Sequence, residues 1–107
     1  MDIKALAEEL GLEENDALRL VQTFIETTDQ DLLLLERAFA DQDAEQVRKL
    51  AHHIKGAASN LELTVITEAA LAIEEKARSN ILEGTEPQIA AIRSGLDSIR
   101  AEMTSRD

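Results

Sequence analysis

Val47-Arg48-Lys49-Leu50-Ala51-His52-His53-Ile54-Lys55-Gly56-Ala57-Ala58 decides how this chain is to be read. Its apolar residues, Val47, Leu50, Ala51, Ile54 and Ala58, recur at the three- and four-residue steps that line one face of an α-helix. Leu61 extends the stripe, and the spacing predicts a helix over residues 44–60. The opposite face carries Glu45, Arg48, Lys49, His52, Lys55, Gly56 and Ser59. His52, Lys55 and Gly56 stand at i, i+3 and i+4 and so share that polar face. An imidazole kept in water, beside an ammonium group and a bare strip of backbone, suits the carriage of a phosphoryl group. His52 is the expected relay point.

The flanking sequence is helical as well. Ile3, Leu6, Ala7 and Leu10 form a short stripe that stops at Gly11, a helix expected to lie as a lid on one end of the domain. Asn15 or Asp16 is the expected cap of a second helix. Its apolar residues are Leu18, Val21, Ile25, Leu32, Leu35, Ala38 and Phe39, flanked by Phe24 and Leu34. Thr27 and Thr28 weaken its middle without breaking it. Asp41-Gln42-Asp43 makes a tight break, and Asp43 followed by Gln46 resembles a capping box at the start of the third helix. Thr64 is expected to cap a fourth helix, lined by Ile66, Ala69, Ala70, Ile73, Ala77 and Ile81 and ended by Asn80 and Gly84. Thr85-Glu86-Pro87-Gln88 reads as a Thr cap, Pro in the first turn and Gln at N3. Ile89, Ile92, Leu96, Ile99 and Met103 then line the last helix, in which Gly95 suggests a close helix approach. Four long helices with short connections imply an all-α, antiparallel up-down four-helix bundle with a short extra N-terminal helix. One domain over residues 1–107 is expected, since no repeat or linker divides the chain.

Composition narrows the function. Hydrophobic residues make up 44% of the chain, enough for a core, while aromatics supply only 2%, so that core must be aliphatic. There is no cysteine, which excludes disulfides, thiolate metal sites and cysteine nucleophiles. The longest apolar run, Leu32 to Leu35, is far short of the roughly 20 residues that span a bilayer. The N-terminus lacks the basic and apolar regions of a signal peptide. A net charge of −11 opposes binding to nucleic acid and to anionic lipid. A soluble cytoplasmic monomer is expected, either free-standing or as one module of a larger protein.

Hairpin geometry supplies a partner for His52. If the third and fourth helices turn back near residue 63, residues 52 and 74 lie at the same height. Glu74 can then accept a hydrogen bond from Nδ1–H, fix the tautomer and leave Nε2 as the nucleophile. A free imidazole titrates near pH 6.5, so the neutral, nucleophilic ring prevails at cytoplasmic pH. Lys55 would contact the added phosphate, which carries close to two negative charges. Gly56 removes a side chain where a partner's active site must approach. Arg48 and Lys49 put positive potential beside the site on an otherwise acidic molecule, and with Ser59 they are candidate docking residues.

On these residues the chain resembles the histidine-containing phosphotransfer (HPt) domain of bacterial multistep phosphorelays. The family's Ala-His-x-Leu-Lys-Gly-x-Ala helix reads here as Ala51-His52-His53-Ile54-Lys55-Gly56-Ala57-Ala58. Phe24, Leu32, Leu35, Ala38 and Asp43 upstream fit its pattern, as do Ile66, Ala69, Ala70, Ile73 and Glu74 downstream, so the likeness covers residues 24–78 closely. It implies that His52, not His53, carries the phosphate and that Glu74 orients it. It implies response-regulator receiver domains and a hybrid sensor kinase as partners. Mg²⁺ would come from the receiver, with no cofactor of the chain's own, and no nucleotide motif supports autokinase activity. Two departures stand out. Glu62 occupies the turn where the family often has Gly, leaving Asn60 to adopt the left-handed conformation. Ala69 stands where Leu is common.

Two other readings compete. A helical protein-binding module without phosphotransfer would have no need for His52, Lys55 and Gly56 together. A metal-dependent hydrolase would need inward-facing His and Glu ligands, and the apolar stripes contain none. His52 and His53 do not make a helical metal pair, which requires a spacing of three or four. His53 reads as a semi-exposed neighbour.

Overall fold

The computed structural model describes residues 1–105 and contains five helices: α1 (Ile3–Leu10), α2 (Glu14–Ala40), α3 (Ala44–Asn60), α4 (Thr64–Arg78) and α5 (Glu86–Ser105). Helices α2 to α5 form an antiparallel bundle in which α2 packs on α3, α3 on α4, α4 on α5, and α5 closes back on α2. The 27 residues of α2, at about 1.5 Å each, match the 42 Å long axis of the molecule. α1 packs on α2 beside the α3–α4 turn, where Leu6, Leu61 and Leu63 line one groove.

The first four helices all stop in the same way. Gly11, Gln42, Glu62 and Asn80 have φ of +69°, +58°, +57° and +62°. The amide after each donates back to a carbonyl five residues earlier: Leu12 to Ala7, Asp43 to Ala38, Leu63 to Ala58 and Ile81 to Lys76, at 2.9–3.0 Å. These are Schellman closures, and only the first uses glycine. The expected left-handed residue after α3 was Asn60. It remains helical, and Glu62 takes the strained position instead.

The helix starts are less regular. Asp43 caps α3 as expected, its Oδ1 accepting from Gln46 N at 3.2 Å. Neither Asn15 nor Asp16 caps α2, whose cap position is Glu13, two residues before Asn15, without a side-chain cap. Asp16 and Glu14 instead place negative charge in the first turn, where it favours the helix dipole. Thr64 is the first residue of α4 rather than its cap. The Thr85 hydroxyl donates to the Leu82 carbonyl at 2.7 Å, and the side chain reaching back is that of Glu86, whose Oε1 accepts from Gly84 N.

The core is aliphatic. Val21, Leu32, Leu35, Val47, Ala51, Ile54, Ala58, Ala70, Ile73, Ile92 and Leu96 are fully buried. Each large member contributes about 1.5–3 kcal/mol by burial. An exposed ion pair such as Arg100–Asp97 adds at most about 1 kcal/mol, so the core dominates. Three expected apolar positions lie outside it: Leu10, Leu34 and Ile81 are exposed, and Leu82, not Ile81, closes the end of the bundle. α2 passes unbroken through Thr27 and Thr28, the latter buried. Gly95 does mark a close approach. A Cβ there would stand 2.8 Å from Ile66 Cγ1, so α4 and α5 meet with no room for alanine. Among the described residues, no helix is long and apolar enough to cross a membrane.

Candidate functional site

The rotation of α3 is set by Ala51 and Ile54, both fully buried. With those two turned to the core, His52 must point out, on the side of α4. Its side chain is 63% exposed. The α3–α4 hairpin brings Glu74 level with it, and His52 Nδ1 lies 2.7 Å from Glu74 Oε2. An ionised carboxylate only accepts hydrogen bonds. Nδ1 therefore carries the proton, and the lone pair resides on Nε2. Nε2 makes no hydrogen bond among the described residues.

Glu74 is 1% exposed, and a buried carboxylate is sustained only when it is paired. Three groups pair with it. His52 Nδ1 and Arg78 share Oε2, the guanidinium at 3.1 Å. Lys55 Nζ forms an ion pair with Oε1 at 2.8 Å. Burial by itself would raise the Glu74 pKa. The contacts of Lys55 and then His52 outweigh it and hold the carboxyl below its ordinary value. Glu74 is thus an anion that fixes one imidazole and two cations around a single exposed nitrogen.

The structure brings His52, Lys55 and Glu74 together as expected and places Gly56 on the exposed surface next to them. A Cβ at Gly56 would meet nothing within 4 Å, so no packing inside this chain demands glycine there. Lys55 differs from expectation in one respect: in this state its ammonium is engaged by Glu74. The three candidate docking residues stand outside the Glu74 cluster. Arg48 is held by Glu45, at 2.7 Å, which offsets its charge locally, while Lys49 and Ser59 are exposed.

Sequence reading missed Arg78, although its position four residues after Glu74 on one helix was a sufficient signal. It also missed a second dyad. His53 Nδ1 lies 2.6 Å from Asp31 Oδ2, across the α2–α3 hairpin. Residues 31 and 53 are each eleven positions from residue 42, as 52 and 74 are from 63, so the same mirror argument would have found it. Among the described residues, no group of three or more His, Cys, Asp or Glu is arranged to hold a metal.

The Hpt domain family model matches residues 19–102 of the chain. The chain belongs to the Hpt domain family. Its function is therefore histidine phosphotransfer in phosphorelay signalling, as a phosphocarrier that interacts with response-regulator receiver domains. Among solved structures, the Hpt fold seen here is similar to that of histidine-containing phosphotransfer protein B (HptB) from Pseudomonas aeruginosa PAO1. The two are 24% identical, with a TM-score of 0.86 over 99% of this chain and 92% of that one. That likeness is one of fold. Comparison with curated proteins gave no match.

Proposed function

We propose that His52 is the phosphoacceptor of this Hpt domain. One observation carries the reading: an exposed imidazole whose Nδ1 is pinned to a buried carboxylate, leaving Nε2 toward solvent. The Nε2 lone pair attacks the phosphorus of a receiver's aspartyl phosphate. The N–P bond forms as the P–O bond to the aspartyl carboxylate breaks, and that carboxylate leaves. The reverse step delivers the group to a second receiver's aspartate.

Glu74 acts as a positioning residue. It holds the ring orientation before attack and stabilises the positive charge that develops on the imidazole. Lys55 and Arg78 are stored beside the site on the same carboxylate. When a phosphoryl group arrives on Nε2, its negative oxygens compete with Glu74 for both cations. Gly56 leaves backbone bare where the receiver must approach. Mg²⁺ and most transition-state stabilisation belong to the receiver. On this reading the domain is a cytoplasmic monomer without autokinase activity, fed by a hybrid sensor kinase.

The test is transfer from a receiver phosphorylated on aspartate with labelled phosphate. The protein should gain one acid-labile, base-stable phosphoryl group, and His52→Gln should gain none from that donor. A His52→Gln protein labelled by the receiver as fast as the parent would overturn the assignment.

A further inference from the structure

We propose that His53 is a second phosphoryl acceptor, open to small phosphoramidate donors but not to receiver domains. His53 reproduces the arrangement at His52. Its Nδ1 lies 2.6 Å from the Asp31 carboxylate, and its side chain is 65% exposed against 63% for His52. The carboxylate requires Nδ1 to carry the proton, so Nε2 holds the lone pair. Asp31 is itself only 16% exposed, which anchors the dyad on α2 and limits its freedom to swing away. Nε2 of His53 has no hydrogen-bond partner among the described residues.

Both rings open into one shallow groove, lined by His52, His53, Gly56, Ala57 and Asn60. Gly56 stands four residues after His52 and three after His53, so the strip of bare backbone serves both. A small donor needs no more than this groove. The Nε2 lone pair attacks the phosphorus of phosphoramidate, an N–P bond forms, the donor's own P–N bond breaks, and ammonia leaves. The proton on Nδ1 stays with the ring, held by Asp31.

A receiver needs more. Neighbouring helical residues point about 100° apart, so a receiver aligned on His52 is misaligned on His53. The cations also differ. Glu74 gathers Lys55 and Arg78 beside His52, whereas Asp31 pairs with no lysine or arginine among the described residues. A phosphate on His53 therefore lacks a fixed counter-charge and faces an acid, so it should be lost faster than one on His52.

The inference extends the chemistry proposed for His52 to a different residue, and its test uses a different donor. His52→Gln, His52→Gln/His53→Gln and His52→Gln/Asp31→Asn are each incubated with potassium phosphoramidate. Labelling is followed by intact mass and by phosphorus NMR. His52→Gln should gain one acid-labile phosphoryl group on Nε2 of His53, and the His52→Gln/His53→Gln protein none. The Asp31→Asn version should react about tenfold more slowly, by analogy with the loss when a metal-bound histidine is stripped of its orienting carboxylate. The proposal is overturned if His52→Gln stays unmodified while His53→Gln is labelled on His52 under the same conditions, a result that leaves the role of His52 intact. It is equally overturned if Asp31→Asn leaves the rate unchanged, because His53 would then react merely as an exposed imidazole.

Discussion

His52 and Glu74 stand 22 residues apart in sequence and 2.7 Å apart in space. The distance is a product of the hairpin: α3 and α4 run antiparallel about a turn halfway between the two residues. That pairing converts a surface histidine into one with a fixed tautomer. Glu74→Gln keeps the size and an accepting oxygen but removes the charge. Transfer from a phosphorylated receiver should fall about tenfold or more, by analogy with metal-bound histidines that lose their orienting partner. The fold should persist, because Lys55 is partly exposed and Arg78 largely so, and both can turn to water. Stopped-flow transfer kinetics alongside circular dichroism check this. A variant that folds and transfers at the parent's rate would show the dyad to be idle.

The same carboxylate gives the domain an acid-sensitive component of stability. Its pKa in the folded state lies below the ordinary 4.5, so folding favours the ionised form. A group with a depressed folded pKa adds stability above its unfolded value and loses it as pH falls through the folded one. Denaturant unfolding of the parent and of Glu74→Gln, compared from pH 6 down to pH 3, should therefore show the parent losing ground below about pH 4.5. A gap between the two proteins that stays constant over that range would contradict it.

Most of this site was legible in the sequence because two periodicities agree. The helical step places His52, Lys55 and Gly56 on one face, and reflection about the turn sets Glu74 against His52. Reflection about the preceding turn sets Asp31 against His53 equally well, yet nothing in the local pattern singles out Asp31 among so many acids. The helix starts were harder to read. Thr64 and Thr85 are good caps by type, but capping depends on backbone angles fixed by the neighbouring turn. At Thr85 a carbonyl of that turn takes the hydroxyl instead. Ile81 and Leu82 illustrate the limit of periodicity. Once Asn80 turns left-handed, the helical phase is lost and the adjacent residue is the one buried.

Glu62 is a stability reserve. It holds φ at +57°, a conformation that costs a residue with a Cβ about 1–2 kcal/mol. It also crowds the Glu9 carboxylate, whose pKa is raised by hydrogen bonding and repulsion from Glu62. Glu62→Gly removes both penalties against a loss of roughly 0.5–1 kcal/mol of chain entropy. The melting temperature should rise by a few degrees, measured by calorimetry at pH 7. A decrease would mean that Glu62 makes a favourable contact outweighing its strain.

Gly95 should behave in the opposite sense. Alanine is favoured over glycine in a helix by about 1 kcal/mol, but here its Cβ would lie 2.8 Å from Ile66 Cγ1. Overpacking of this kind costs about 1–3 kcal/mol, so Gly95→Ala should be destabilising on balance. Ile66→Ala alone opens a cavity at a cost of about 2–5 kcal/mol. Combined, each change relieves the other, and the double variant should lose less than the sum of the two singles. Additive losses would show that the helices separate rather than collide.

Gly56 separates folding from function most cleanly. A Cβ there meets nothing inside the chain, and the position lies within α3, so Gly56→Ala should stabilise the isolated domain by up to about 1 kcal/mol. Selection for stability alone would therefore favour alanine. If the bare backbone serves a docking receiver, Gly56→Ala should slow receiver-to-domain transfer, and a bulkier Gly56→Val should slow it further. Phosphoramidate, which is small enough to enter the groove, should still label His52 in Gly56→Ala at the parent's rate. The three measurements must move as a set: melting temperature up, receiver transfer down, small-donor labelling unchanged. A Gly56→Ala protein that melts higher and still receives phosphate from the receiver at full rate would remove the steric argument. A parallel drop in small-donor labelling would move the fault from docking to the imidazole itself.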